Sequence, residues 1–197
     1  MPVKRTIPYP SGTFFITFTC YKWLPLFEKA DGYTIVYKWF DCLKAQGPFI
    51  NAFVIMPIHV HAIISFVDTE QSINIIIGNG KRFMAYEIIK RLEQNNEQQL
   101  LASLAGAVEK KRKANNKKHE VWELSFDRKD CIGDEFIQQK LDYVHINPCK
   151  GKWNLCEKPE EYKHSSAKFY LTGEQGFYKV DSIGEMQDKA FVSRGNK

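Results

Sequence analysis

The segment FINAFVIMPIHVHAIISFV, residues 49–67, constrains the fold more than any other part of the chain. Phe49 to Met56 and His59 to Val67 are rich in β-branched and aromatic residues, the composition of strands. Only Pro57 and Ile58 separate them, so the two read as a hairpin. The neighbouring segments supply the remaining layers. Thr13 to Tyr21, TFFITFTCY, reads as a preceding strand, and residues 22–32 form a connection to a helix. From Tyr33 to Gln46, Ile35, Val36, Trp39, Phe40 and Leu43 recur at helical spacing, and Gly47-Pro48 ends that helix. Ser72 to about Asn95 is also helical in pattern, with a break expected at Gly78 and Gly80, and 94–106 either continues the helix or loops out.

His119 to Arg128 reads as a fourth strand, and Asp134 caps a helix that runs to Asn147 and stops at Pro148. A short element is expected within 157–173. The first six elements run β-α-β-β-α-β, which predicts an α+β chain with a ferredoxin-like antiparallel sheet followed by a C-terminal helix. Helices are expected on one face of that sheet, leaving the other free to carry a site. The domain organisation expected is an extended, proline-bearing arm over 1–12, one domain over 13–172, and a C-terminal tail over 173–197 that is loosely ordered from about Asp181. A chain of 197 residues has room for one such domain.

Charge and cysteine usage narrow the function class. The net charge of +5 permits a polyanionic partner, and the 14% aromatic content can fill a core or stack on unpaired bases. The five cysteines, Cys20, Cys42, Cys131, Cys149 and Cys156, are odd in number and form no C-x-x-C pair. A disulfide framework or zinc knuckle is therefore not expected, and a reducing compartment is. No signal-like apolar core opens the chain and no apolar run reaches the ~18 residues of a membrane span, so the expected location is the cytoplasm, with no membrane partner.

His59 and His61 stand two apart on the third strand, so both imidazoles point to one face while Val60, Ala62, Ile64 and Phe66 point to the other. Two imidazoles so placed can share a divalent metal, and the same pattern also arises incidentally on a half-exposed strand. On the last helix, DEFIQQKLDYVHIN, a buried stripe of Phe136, Ile137, Leu141 and Val144 is expected. Tyr143 and Asn147 lie four apart and share a face. A phenol can attack a phosphodiester and form a covalent protein–DNA ester, but with an ordinary pKa of ~10 it needs a charge-neutralising neighbour. The Asn147 amide oxygen can join the shell of a hard cation. The alternative is a packing tyrosine with an asparagine ending its helix. His145, two residues from Tyr143, faces elsewhere and reads as a supporting or DNA-contacting residue.

These residues resemble a known family. FVIMPIHVHAIISF resembles the HUH segment of insertion-sequence transposases with a single catalytic tyrosine, in which two histidines flank one hydrophobic residue, here Val60. LDYVHINPCKGKWNLCEKPEEYKHSSAKFY resembles the tyrosine-helix segment of the REP-associated tyrosine transposases, with Tyr143, Asn147, Pro148, Pro159, Glu160, Tyr162, Ser165 and Ser166 in the family's order. FFITFTCYKWLPLF is similar to the family's opening strand and the phenylalanine after it. The chain departs from the pattern at Ile58, where many relatives carry asparagine, at Cys149, and near His164, where relatives have a tryptophan.

The resemblance implies an HUH domain whose C-terminal helix is catalytic. Tyr143 would be the nucleophile, and His59, His61 and Asn147 would bind Mg2+ or Mn2+. Single-stranded DNA flanking a hairpin would be cleaved to a 5′-phosphotyrosine and a free 3′-hydroxyl, then rejoined, by a monomer or by a homodimer. For DNA contact the candidates are Lys81 and Arg82, with Lys90 and Arg91 further along the same helix; the basic run with Lys110, Lys111, Arg112, Lys113, Lys117 and Lys118; and Lys150 and Lys152 after the tyrosine helix. The basic run serves equally as a solvated loop. Trp153 and Tyr162 can stack on a base or simply pack. Two other functions compete: a non-catalytic single-stranded nucleic-acid-binding module, and a structural zinc site drawing on Cys131 or Cys149, which the lack of a four-ligand set disfavours.

Overall fold

The computed structural model describes residues 11–67, 69, 71–109, 116–123, 127–151 and 153–184. Strand β1 (Gly12–Thr19) is followed by a single helical turn α1 (Leu26–Lys29), helix α2 (Tyr33–Lys44), strands β2 (Phe49–Met56) and β3 (His59–Phe66), and helices α3 (Ile73–Gln94) and α4 (Gln98–Gly106). Strand β4 (Asp127–Asp130), helix α5 (Asp134–Ile146) and helix α6 (Ala167–Thr172) complete the order. The sheet runs β2-β3-β1-β4 with every neighbour antiparallel. That is the split β-α-β arrangement of a ferredoxin-like fold, as the order of periodicities predicts.

Alternation along the strands assigns each side chain to a layer. Phe14, Ile16, Phe18, Ile50, Phe53, Ile55, Val60, Ala62, Ile64 and Phe66 form one core with α2 and α3. Helix α3 is continuous through Gly78 and Gly80 instead of breaking there. Gly80 has a packing role: a Cβ at this position would overlap the indole of Trp39 on α2. Residues 94–106 turn at Asn95–Asn96, with Asn96 at φ +58°, and re-enter a helix as α4.

The second face of the sheet is not left open. Phe15, Ala52, Val54, Met56 and Ile63 pack beneath Ile137, Leu141 and Val144 of α5. Helices therefore cover both faces, and the site sits beside α5 instead of on a bare sheet. Phe136, expected in the buried stripe, is only partly buried. The helix is capped by Gly133 at φ +81°, where a Cβ would strain the backbone, and Asp134 and Glu135 occupy the first turn, favourable to the helix dipole.

The fourth strand is shorter and later than the predicted His119 to Arg128. Among the described residues of 119–123, Trp122 makes an isolated bridge to Cys20 instead of a continuous ladder. Regular pairing with β1 starts at Asp127. Packing also continues past Thr172. Val180 and Ile183 are buried, the Asp181 amide donates to Ile50 O at 2.9 Å, and Lys44 pairs with Asp181 at 3.3 Å.

The stretch from Tyr162 to Ser166 closes the free edge of β2. Ile55 N donates to His164 O at 2.8 Å and Ser166 N to Phe53 O at 3.0 Å. The Ser166 hydroxyl also accepts from Phe53 N at 2.9 Å, and the Tyr162 hydroxyl donates to Ile55 O at 2.8 Å. Covering an exposed strand edge in this way removes a template for aggregation. Among the described residues no helix is long and apolar enough to cross a membrane.

Candidate active site

The antiparallel register places Thr19 opposite His59 and Thr17 opposite His61. All four side chains therefore emerge on the α5 side of the sheet. The two imidazole rings are 4.3 Å apart between centroids. His61 is buried at 5% exposure, stacks on Phe15 at 5.4 Å, and shares a 2.8 Å hydrogen bond between its Nδ1 and Thr17 Oγ1. With Nδ1–H donating to the hydroxyl, the His61 Nε2 lone pair is left for a ligand.

Helix α5 delivers the other partners. Tyr143 meets the His61 ring edge-on at 5.1 Å and Phe15 at 5.9 Å, and it keeps 46% of its surface exposed. One turn on, Asn147 Oδ1 lies 3.2 Å from His59 Nε2. His59, His61 and Tyr143 line one cavity of about 470 Å³ with Phe15, Thr17, Thr19, Trp23, Ile58, Lys129 and Lys140. Residues more than eighty positions apart in sequence thus meet within a single chain.

Burial sets the protonation of the imidazoles. Desolvation lowers the His59 pKa to about 4 against the opposing bond from Asn147. His61 is held well below the ordinary value by desolvation first, then by His59 and Lys140. Both rings are neutral near pH 7, the form in which imidazole ligates metals. The 3.2 Å between His59 Nε2 and Asn147 Oδ1 suits a shared ion as well, since adjacent ligands at ~2.1 Å on an octahedral cation stand about 3 Å apart. Among the described residues no cluster of three or more His, Cys, Asp or Glu occurs, so the candidate shell consists of two imidazoles and an amide.

Two cavity cations, Lys140 and Lys129, go beyond the residues expected from the sequence. Lys140 lies three residues before Tyr143, on the same helical face, with its ammonium 5.7 Å from the Tyr143 ring and 5.2 Å from that of Phe15. That helical spacing could have identified it. Lys129 enters from β4 opposite Phe15, a register the sequence does not reveal. Thr17 and Trp23 are further cavity residues, Trp23 carrying no sequence signal at all.

Other candidates lie elsewhere. Lys81 sits on the α2–α3 side, its ammonium 5.9 Å from both the Phe18 and Trp122 rings, and burial lowers its pKa to about 8. As a DNA contact it is displaced from the cavity by the whole thickness of the sheet. Arg82 is exposed on α3, where it donates to Asn79 Oδ1 at 3.4 Å, also away from the cavity. Arg91 is tied to Thr34 at 2.8 Å and to the Asp31 carbonyl. Lys150 is exposed just after the tyrosine helix. Lys152, Lys110, Lys111, Arg112 and Lys113 fall outside the described residues.

His145 is buried against Ser166, with Nε2 2.9 Å from Oγ, so it anchors α5 to the edge-covering segment. Tyr162 and Trp153 are partly buried against the core between the sheet and α5. Cys131 belongs to the same core, and Cys149 faces Cys156 at 3.4 Å between sulfurs, which leaves neither beside the histidines.

No protein-family model matches this chain, and no curated protein matches it. A solved structure, a REP-associated tyrosine transposase bound to a REP hairpin, aligns over 93% of both chains with a TM-score of 0.59 at 16% identity. A candidate transposase from Deinococcus radiodurans R1 aligns over 73% of this chain and 95% of its own, with a TM-score of 0.43 at 14% identity. The chain therefore has the α+β fold of the REP-associated tyrosine transposase, with its four-stranded antiparallel sheet.

Proposed function

We propose that this protein is a REP-associated-type tyrosine transposase that cleaves and rejoins single-stranded DNA beside a hairpin. The observation that carries the reading is the meeting of a half-exposed phenol, Tyr143, with His59 and His61 at one cavity, His59 in turn bonded to Asn147. The matching fold, solved with a REP hairpin, supports DNA as the partner class.

In this reading His59, His61 and Asn147 would hold Mg2+ or Mn2+, which when bound neutralises phosphate charge as the transition state develops. Tyr143 Oη attacks the phosphorus and loses its proton to solvent. The bond to the 3′ oxygen breaks, and that oxygen leaves as a protonated hydroxyl. A 5′-phosphotyrosine remains on the protein, conserving the ester bond, so no nucleotide hydrolysis is needed. A second strand's 3′-hydroxyl then attacks the same phosphorus and frees Tyr143. Lys140, one turn before the nucleophile, supplies positive charge beside the phosphate, and Phe15 holds the phenol and His61 in fixed relation. Tyr143 meets histidines of its own chain, which supports a reaction within one subunit.

The test is incubation with end-labelled hairpin DNA bearing single-stranded flanks, with Mg2+ or Mn2+, followed by denaturing electrophoresis. The reading predicts an SDS-resistant adduct that disappears in Tyr143→Phe while DNA binding persists. Binding with no adduct under either metal would instead identify a non-catalytic single-stranded DNA-binding module.

A further inference from the structure

Trp23 stands out on the rim of the cavity. It is 61% exposed, and no aromatic ring among the described residues packs on its indole. It also occupies an unfavourable backbone conformation, φ +54°, directly after Lys22 at φ +50°. Two consecutive left-handed residues, neither of them glycine or asparagine, cost free energy that the surrounding structure must offset.

The surroundings do hold the turn. Cys20 N donates to Ile58 O at 2.8 Å, Tyr21 N to Val121 O at 2.8 Å, and Trp23 N to Cys20 O at 3.0 Å. Lys22 N donates to the Glu123 carboxylate at 2.7 Å. The turn is thus tied to the residue before His59 and to the segment leading into β4. An indole carried on a held turn and exposed to solvent, beside a cavity that also contains Lys129 and Lys140, combines an aromatic face with nearby cations. Single-stranded nucleic acids bind to that combination, the ring taking a base and the cations the backbone.

We infer that Trp23 is a base-stacking platform that holds an unpaired nucleobase next to the phosphate addressed by Tyr143. The inference rests on the DNA reading above and adds to it a nucleotide-positioning residue. Stacking makes few sequence demands, because every base has a π-face, so Trp23 fixes the position of the strand and leaves choice of base to other groups.

The test uses the full chain and two fluorescent hairpin oligonucleotides, one blunt and one with a short single-stranded tail. Trp23→Ala should weaken binding of the tailed hairpin by roughly tenfold, the lower part of the stacking range, and leave the blunt hairpin unchanged. Trp23→Phe should retain most of the affinity. Trp23→Asn, which suits the left-handed backbone but lacks the ring, should fold at least as well and still bind the tail weakly. An abasic residue moved along the tail should reveal one position where base removal costs the wild type and costs Trp23→Ala nothing. Equal losses on both hairpins, or no position coupled to Trp23, would overturn the inference while leaving the DNA reading intact. Failure of the wild type to bind either hairpin would overturn both.

Discussion

At the residue scale, the behaviour of His61 depends on Thr17. The 2.8 Å contact fixes one ring nitrogen and thereby aims the other at the cavity. Thr17→Val keeps the shape of the side chain and removes the hydroxyl. It should lower Mn2+ affinity by about tenfold in a calorimetric titration, the usual effect of losing a ligand's orienting partner, with little change in melting temperature. Unchanged affinity would mean that His61 is not a ligand or needs no orientation. The histidine pair is legible in the sequence because alternation with period two assigns both rings to one face. Thr17 is not, because its role depends on cross-strand register, which pattern alone leaves open. Lys140 has a readable position one turn from Tyr143, but only the packing of α5 against Phe15 makes that position part of the cavity.

At the scale of elements, close contacts on each face of the sheet hold the fold together. Helix α3 approaches α2 at Gly80, where the Trp39 indole leaves no room for a Cβ. Gly80→Ala should therefore destabilise the protein by on the order of 2 kcal/mol despite the better helix propensity of alanine, since overpacking outweighs propensity here. Thermal denaturation should show a melting temperature roughly 4–8 °C lower for a chain of this size. A stabilised variant would show that the helices can separate freely. From spacing alone Gly80 reads as a helix break, because spacing cannot distinguish a glycine that ends a helix from one that admits a neighbour. The second sheet face, expected to be free, is covered, and the strands carry a signal for this that the order of elements does not. Ala52, Val54, Met56 and Ile63 make β2 and β3 apolar on both faces, and strands read that way when both faces are buried. The edge-covering role of Ser166 is beyond reach, since its bonds go to Phe53 and His145, distant in sequence.

At the scale of the whole molecule, buried imidazoles couple folding to pH. Burial lowers the His145 pKa to about 4 against the opposing pull of Asp142, and those of His59 and His164 also to about 4. As pH falls from the ordinary imidazole value of about 6.5 toward 4, the unfolded chain takes up protons that the folded chain refuses. Stability should thus be full above pH 6.5, decline between pH 6.5 and 4, and suffer no further loss from these groups below that range. For the buried His145 alone the effect is on the order of 3 kcal/mol. Urea midpoints measured across this range should fall with pH, and the slope should flatten in His145→Gln. A midpoint constant from pH 7 to 4.5 would contradict the burial of these rings.

The proposed reaction requires a tyrosine that is both accessible and beside the histidines. Of the tyrosines, Tyr37, Tyr162 and Tyr170 have their hydroxyls bonded inside the fold, to His164, Ile55 O and Asn51 O respectively, whereas Tyr143 is half-exposed beside the paired histidines. Mass mapping of the covalent product tests this most directly. After reaction with a tailed hairpin and Mn2+, then digestion with trypsin and nuclease, the tryptic peptide running from Leu141 to Lys150 should carry a nucleotide joined through its 5′ phosphate to Tyr143. A nucleotide on any other residue, or a linkage through the 3′ phosphate, would contradict the account.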